Sequence, residues 1–130
     1  MNQLKAQIIS LQESENILFI KMSAQDYCFS AVGLGGDYVL WEQVDLCFKE
    51  SDVMLAHPKS AGLISARNKF LSPILHIEHN GVLARVEFDV LETKVCALIT
   101  YEALRELQVE QHDKFYWFVK SSDLIVQKRA

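Results

Sequence analysis

The residues of this 130-residue chain best suited to chemistry lie near its middle, in Ser65-Ala66-Arg67-Asn68. This segment combines a hydroxyl, a guanidinium and an amide with intervening backbone N–H groups, and all of these groups donate hydrogen bonds to anions. Taken alone, four such residues fit a polar linker with a surface arginine better than a binding site. An anion site therefore depends on the elements that surround the segment.

The sequence after this segment predicts a β-rich unit. Val82 to Val90 alternates apolar and charged residues, the period of two of a strand with one buried face. The preceding Asn80-Gly81 pair predicts a tight hairpin, with Leu71 to Glu78 as the antiparallel partner. The rest of the unit is predicted as a strand over Lys94 to Thr100, a short helix over Tyr101 to Leu107, and strands around Phe115 to Lys120 and Leu124 to Gln127. This order is typical of a small OB-like barrel.

The first half repeats this order less cleanly. The segment VDLCFKESDVMLAHPKSAGL, which begins at Val44, resembles LQVEQHDKFYWFVKSSDLIV, which begins at Leu107, and Pro58 to Gly62 then serves as a connector. The predicted elements are strands over Leu4 to Leu11, Ile17 to Met22, Tyr27 to Val32 and Asp52 to Ala56, and a helix-like piece over Val39 to Leu46. We predict a mainly β fold of two tandem OB-like five-stranded β-barrel repeats, each with a short helix, over residues 1–63 and 64–130.

The distribution of charge separates the two halves. Residues 1–63 hold four Lys against eight Asp or Glu, whereas residues 64–130 hold nine Lys or Arg against nine acids, so the net charge of −4 comes from the first half. An acidic protein is a poor non-specific nucleic-acid binder, because such binding depends on basic surface that releases counterions. An anion site is therefore expected in the second half, and no nucleic-acid partner is expected.

The sequence contains no long apolar segment. Its start lacks the apolar stretch of a signal peptide, and no run approaches the roughly 18 apolar residues that a membrane-spanning helix needs. We therefore expect a cytoplasmic protein without a membrane partner.

Cysteine and histidine spacing argues against metal chemistry. Cys28, Cys47 and Cys96 are odd in number and lie among apolar neighbours, as expected of reduced, buried thiols in strands. The histidines lack metal-ligand spacing as a group: His57, His76, His79 and His112. Gly33 to Gly36 is followed by Asp37 and predicts a turn rather than a phosphate cradle. Since no nucleophile stands with a base, an enzyme is the least favoured class.

Four elements of the second half carry a family resemblance. They are Ser65-Ala66-Arg67-Asn68, the Asn80-Gly81 hairpin, Ile99-Thr100 before a helix over Glu102 to Leu107, and Val119-Lys120-Ser121-Ser122 at a late strand. In this order they resemble the molybdenum-pterin-binding proteins, or molbindins, whose repeat is also called the TOBE domain. The resemblance covers residues 64–128, and the two-repeat length resembles that of the di-molbindins.

The resemblance implies an intracellular protein that binds molybdate or tungstate for storage, buffering or delivery, with no covalent cofactor and no direct metal ligands from the protein. It implies oxyanions held between subunits of a ring-like homo-oligomer, for which we expect a trimer. The implied site residues are Ser65, Ala66, Arg67, Asn68, Lys120, Ser121 and Ser122 of one subunit, with Ala103 and Arg105 from a neighbour. The family often has serine where this chain has Ala103, so one hydroxyl is lost. Arg105 either compensates or is a solvated helix residue.

The first repeat departs further from the family pattern. It keeps only Asn2 of the Ser-Ala-Arg-Asn segment, and in the alignment above His57-Pro58 falls where Lys120-Ser121 stands. We therefore interpret residues 1–63 as a degenerate repeat with a structural role. Two further functions stay open: an oxyanion-sensing module that acts through a protein partner, and an OB barrel that binds nucleic acid.

Overall fold

The computed structural model describes residues 1–60 and 62–129. Within them the chain forms ten strands, one α-helix and two short 3₁₀ helices. The strands are β1 (Asn2–Ser14), β2 (Ile17–Ala24), β3 (Tyr27–Leu34), β4 (Gln43–Phe48), β5 (Met54–Ala56), β6 (Asn68–His79), β7 (Leu83–Val90), β8 (Thr93–Thr100), β9 (Lys114–Val119) and β10 (Ile125–Lys128). The helix α1 is Tyr101–Glu106, and the 3₁₀ helices are Glu50–Asp52 and Ser121–Asp123.

These strands form two five-stranded sheets, in the orders β10-β4-β1-β2-β3 and β5-β9-β6-β7-β8. Every described strand pairing is antiparallel. The predicted fold class, mainly β with two five-stranded units, is confirmed. None of the described helices has the length and apolar character needed to cross a membrane.

The two sheets exchange their last strands. β5 follows β4 in the chain but pairs with β9, with Leu55 opposite Trp117. β10 follows β9 but pairs with β4, with Val126 opposite Leu46. Each sheet therefore takes four strands from one half of the sequence and one from the other. Separating the halves would leave backbone groups of both sheets without their partners, and unpaired backbone groups are costly to bury.

The two halves are related by matching strand registers. Asn2 at the start of β1 lies opposite Phe48 at the end of β4, and Asn68 at the start of β6 lies opposite Val119 at the end of β9. In the same registers Ala6 lies opposite Val44, and Ser72 lies opposite Phe115.

Val44 therefore corresponds to Phe115, and the predicted alignment of Val44 with Leu107 is wrong. No single shift along the sequence relates the two halves. The reason is that the segment between the third and fourth strands is longer in the second half, where it holds α1.

The predicted hairpin around Asn80 and Gly81 is confirmed, with β6 and β7 as antiparallel partners. Its turn differs from the expected two-residue type. The Asn80 Oδ1 accepts hydrogen bonds from the backbone N–H groups of Val82 (2.9 Å) and Leu83 (2.8 Å), and only Gly81 of this turn has a positive φ, of 90°. Asn80 therefore forms a side-chain turn of the kind that Asn and Asp favour.

The helix predictions have different outcomes in the two halves. The helix predicted in the second half, over Tyr101 to Leu107, is confirmed as α1. It begins after Thr100, whose Oγ1 accepts a hydrogen bond from the Ala103 N–H at 3.1 Å. The helix-like piece over Val39 to Leu46 is wrong, because β4 begins at Gln43 and pairs with β1. The predicted connector from Pro58 to Gly62 includes Ala61, which lies outside the described residues; residues 58–60 form a turn.

The core lies between the inner faces of the two sheets. Trp117 of β9 is fully buried, its ring lies parallel to that of Phe48 at 6.0 Å, and its Nε1 donates to Ser72 Oγ at 3.0 Å. Because Phe48 belongs to the other sheet, this contact joins the two halves.

The cysteines divide into buried and exposed thiols. Cys47 and Cys96 are buried, and burial raises the pKa of both thiols. Cys28 is exposed, because β3 directs its side chain outward. The prediction of three buried thiols is therefore wrong for Cys28.

Candidate functional site

The start of β6 and the end of β9 bring four of the predicted site residues, Arg67, Asn68, Lys120 and Ser121, to one edge. Asn68 and Val119 are register partners, and Arg67 and Lys120 are the next residues outward on the two chain segments. Both cationic side chains are exposed, and Ser121 follows Lys120 in the 3₁₀ helix Ser121–Asp123. The antiparallel pairing therefore places a guanidinium, an ammonium and a hydroxyl at the same end of the sheet.

Asn68 is fully buried, and its side chain makes three hydrogen bonds within the protein. Its Oδ1 accepts from the Ser30 N–H at 2.7 Å, and its Nδ2 donates to the carbonyl oxygens of Ser30 (3.0 Å) and Val119 (3.1 Å). Since Ser30 lies in β3, this amide ties the edge of one sheet to the other. Both amide hydrogens of Asn68 are used in this clamp, so its side chain contributes position rather than a hydrogen bond to an anion.

Ser30 is a candidate site residue that the sequence interpretation missed. Its hydroxyl lies 2.6 Å from the Ser121 Oγ, so the two hydroxyls form one hydrogen-bonded pair. Ser30 belongs to the first half of the chain, and no motif surrounds it. The hydrogen bonds between Ser30 and Asn68, which join the two sheets, are what place Ser30 at this edge. The edge therefore uses residues from both halves.

The remaining predicted residues of this edge are solvent-accessible. Ser65 and Ser122 are exposed and Ala66 is half-buried. Within residues 1–60 and 62–129, no carboxylate forms an ion pair with Arg67 or Lys120. The edge thus presents donors and positive charge, the groups that bind an anion through charge-assisted hydrogen bonds.

Ala103 and Arg105 lie far from this edge. They belong to α1, which contacts the opposite end of the twelve-residue strand β6, where the Tyr101 ring lies 4.4 Å from that of His79. The Ala103 N–H already donates to Thr100, and the Arg105 guanidinium lies 5.9 Å from the centre of the Tyr101 ring. One chain therefore cannot bring these two residues to Arg67 and Lys120.

The α1 end of the sheet has its own open cleft, of about 770 Å³. The lining includes basic groups of Arg105, His79 and Lys114, acidic groups of Glu110 and Asp113, and the ring of His57. This mixed charge does not define a ligand class. Among the described residues, no group of three or more His, Cys, Asp or Glu is placed to hold a metal ion.

The register corrects which residues of the first half correspond to Lys120 and Ser121. After the partners Phe48 and Val119 come Lys49-Glu50 and Lys120-Ser121, and each pair leads into a 3₁₀ helix. The match of His57-Pro58 to Lys120-Ser121 is wrong, because it depends on the alignment that the register overturns. The first half therefore keeps the lysine but has a carboxylate in place of the serine.

Asn2 repeats the clamp of Asn68 on the other side of the molecule. Its Nδ2 donates to the Cys96 carbonyl at 2.8 Å, and its Oδ1 accepts from the Cys96 N–H at 2.7 Å. Cys96 lies as far after Ser30 in the sequence as Asn68 lies after Asn2, so the partners of the two asparagines correspond as well. The asparagine kept in both halves is thus explained by a structural role, and the two edges share one backbone frame.

The fold and this edge define a β-rich protein of two related OB-like repeats that presents a cluster of hydrogen-bond donors. Residues 64–126 match the family model described as the TOBE domain. The second half of the chain is therefore similar to a TOBE domain, and the resemblance found in the sequence is confirmed.

A solved structure extends the likeness to both halves. The chain is similar to a crystal structure of the cytoplasmic molybdate-binding protein ModG with molybdate bound, at a TM-score of 0.93. The two sequences are 21% identical, and the match covers 98% of this chain and 96% of that chain. At this identity the likeness establishes the shared fold. A comparison with curated protein sequences found no match.

Proposed function

We propose that this protein binds molybdate or tungstate in the cytoplasm, for storage, buffering or delivery, and that it is a binding protein rather than an enzyme. The observation that carries the proposal is the edge where Arg67, Lys120 and Ser121 meet. The TOBE domain over residues 64–126 and the fold shared with a molybdate-binding protein support it. We also propose that residues 1–63 and 64–130 are the two sequence repeats, with their last strands exchanged.

The cationic donors of the edge favour a fully deprotonated oxyanion. Molybdate and tungstate are dianions at neutral pH and only accept hydrogen bonds, whereas phosphate often carries a proton that requires an acceptor. Guanidinium and ammonium groups cannot accept that proton, so where it faces one of them it stays unpaired, which costs on the order of 1–3 kcal/mol. The proposed site therefore discriminates against phosphate by hydrogen bonding.

The complete site is proposed to form between subunits. Ser65, Ala66, Asn68 and Ser122 accompany Arg67, Lys120 and Ser121 on one subunit, and Ala103 and Arg105 come from a neighbour. The separation of α1 from the edge supports this arrangement, because one chain cannot supply both parts. In this arrangement Asn68 positions the edge through its hydrogen bonds to Ser30 and Val119 and does not contact the anion.

Calorimetry tests the proposed function. Titration with molybdate or tungstate at neutral pH should give saturable binding heat, and phosphate under the same conditions should bind more weakly, because the cationic groups offer its proton no acceptor. Absence of binding for both metal oxyanions up to millimolar concentration would remove the proposal.

We further expect a closed homotrimer. Two small repeats bury little surface alone, so contact between subunits would stabilise them. A closed ring provides this contact and also forms the proposed site between subunits. Light scattering in the presence of molybdate should give three times the chain mass of 14.9 kDa. A monomeric mass under these conditions would contradict the shared site.

A further inference from the structure

The two halves build the same local frame but differ in charge at one position. Lys49 and Lys120 both precede a 3₁₀ helix in extended conformation, with φ and ψ of −73° and 144° against −67° and 148°. The next residue is Glu50 in the first half and Ser121 in the second. The first edge therefore carries its own carboxylate where the second carries a neutral hydroxyl.

The Glu50 carboxylate is bound as an oxyanion ligand would be. The Arg85 guanidinium donates to it through two nitrogens, Nε to Oε1 at 2.8 Å and Nη2 to Oε2 at 3.2 Å. This forked contact is the geometry by which arginine binds carboxylates and other oxyanions. The hydrogen bonds from Arg85 hold the pKa of the Glu50 carboxyl below its usual range, so it is ionised at neutral pH.

The surroundings of Glu50 are basic. Arg85 lies in β7, and its third nitrogen, Nη1, donates to Glu87 at 3.0 Å. Lys94 lies 3.6 Å from the same Glu87, and Lys49 adjoins Glu50 in the chain. Arg85 and Lys94 thus share the Glu87 carboxylate, and Arg85 also binds that of Glu50. Removing the charge of Glu50 would make this already positive group more positive and leave Arg85 without its forked partner.

We propose that Glu50 is an internal anion that closes a second oxyanion site, located where the end of β4 meets strands β7 and β8 of the other half. The cations of this latent site are Arg85, Lys94 and Lys49. The inference rests on the proposed function for the assignment of the open counterpart at Lys120 and Ser121. It goes further by attributing the expected lack of an open site in the first repeat to one carboxylate, rather than to a loss of basic residues.

The test is to count bound tungstate in the variant Glu50→Ser, which introduces the side chain found at Ser121. Equilibrium dialysis of the intact oligomer should show one more tungstate per chain than in the parent protein. The additional anion should persist when Lys120→Ala is combined with Glu50→Ser. The matched control is Glu42→Ser, which removes another partly buried carboxylate, one paired with Lys128 at 3.4 Å, and should bind no additional anion.

The variant Glu50→Gln keeps the size of the side chain and covers the case in which Glu50→Ser fails to fold. It removes the charge that repels an oxyanion, so it should also gain tungstate, with weaker affinity because the amide still fills the space. A folded oligomer of either variant without additional tungstate would overturn the inference. Gain of tungstate by Glu50→Ser in a protein whose parent binds none would instead overturn the proposed function and leave the latent site standing.

Discussion

Arg67→Ala and Lys120→Ala should each weaken molybdate binding by roughly 10- to 150-fold, because a charge-assisted hydrogen bond to a desolvated dianion is typically worth about 1.5–3 kcal/mol. Both side chains are exposed at the edge formed by β6 and β9, so their removal leaves the core untouched. Calorimetric titration of each variant with molybdate measures the change.

Two control variants make this result specific to the edge. Lys5→Ala removes an exposed lysine from β1, and His57→Ala removes a ring from the cleft at the other end of the second sheet. Both should change the affinity far less, provided that every variant keeps the oligomeric mass of the parent. Equal losses in Lys120→Ala and His57→Ala would show that the proposed site is in the wrong place.

Asn68→Asp should lower the free energy of unfolding by about 2–6 kcal/mol, because each buried polar group left unsatisfied costs about 1–3 kcal/mol. The Asn68 Nδ2 donates to two carbonyl oxygens, those of Ser30 and Val119, and a carboxylate oxygen can donate to neither. The substitution therefore places negative charge against two acceptors in a fully buried position. Urea unfolding at pH 7 measures the loss.

Asn80→Asp is the matched control for this substitution. The Asn80 Oδ1 accepts hydrogen bonds from the Val82 and Leu83 N–H groups, and a carboxylate keeps that role. Its stability should stay within about 0.5 kcal/mol of the parent, as for most exposed substitutions. If Asn68→Asp were as stable as Asn80→Asp, the clamp between the two sheets would not be a structural requirement.

Local patterns predicted the second half well. The alternation over Val82 to Val90 and the Asn80-Gly81 turn identify β6 and β7, and the helix formers after Thr100 identify α1. These features depend on neighbours in sequence, which is why they can be recognised without a structure.

Pairing between distant strands could not be predicted in the same way. The exchange of β5 and β10 joins residues such as Leu55 and Trp117, which lie far apart in the sequence. The segment at Gln43 has no clean alternation, since Leu46, Cys47 and Phe48 are all buried, and its sequence predicts a helix instead. Tertiary packing decides its conformation.

The candidate site, like the fold, could be predicted only in part from the sequence. The motif residues Arg67 and Lys120 can be named from the sequence, but the pairing of Ser30 with Ser121 depends on contact between the sheets. The correspondence of Glu50 with Ser121 is visible only from the strand register. The longer segment that holds α1 changes the offset between the two halves, so an alignment with one constant offset misses this correspondence.

Anomalous diffraction from crystals grown with tungstate is the sharpest test of the proposed site, because it locates each tungsten atom without assuming a position. We expect a tungsten peak beside Arg67, Lys120 and Ser121 of one subunit, with α1 of a neighbouring subunit completing the site. A tungsten peak elsewhere with this edge empty, or no peak at saturating tungstate, would contradict it.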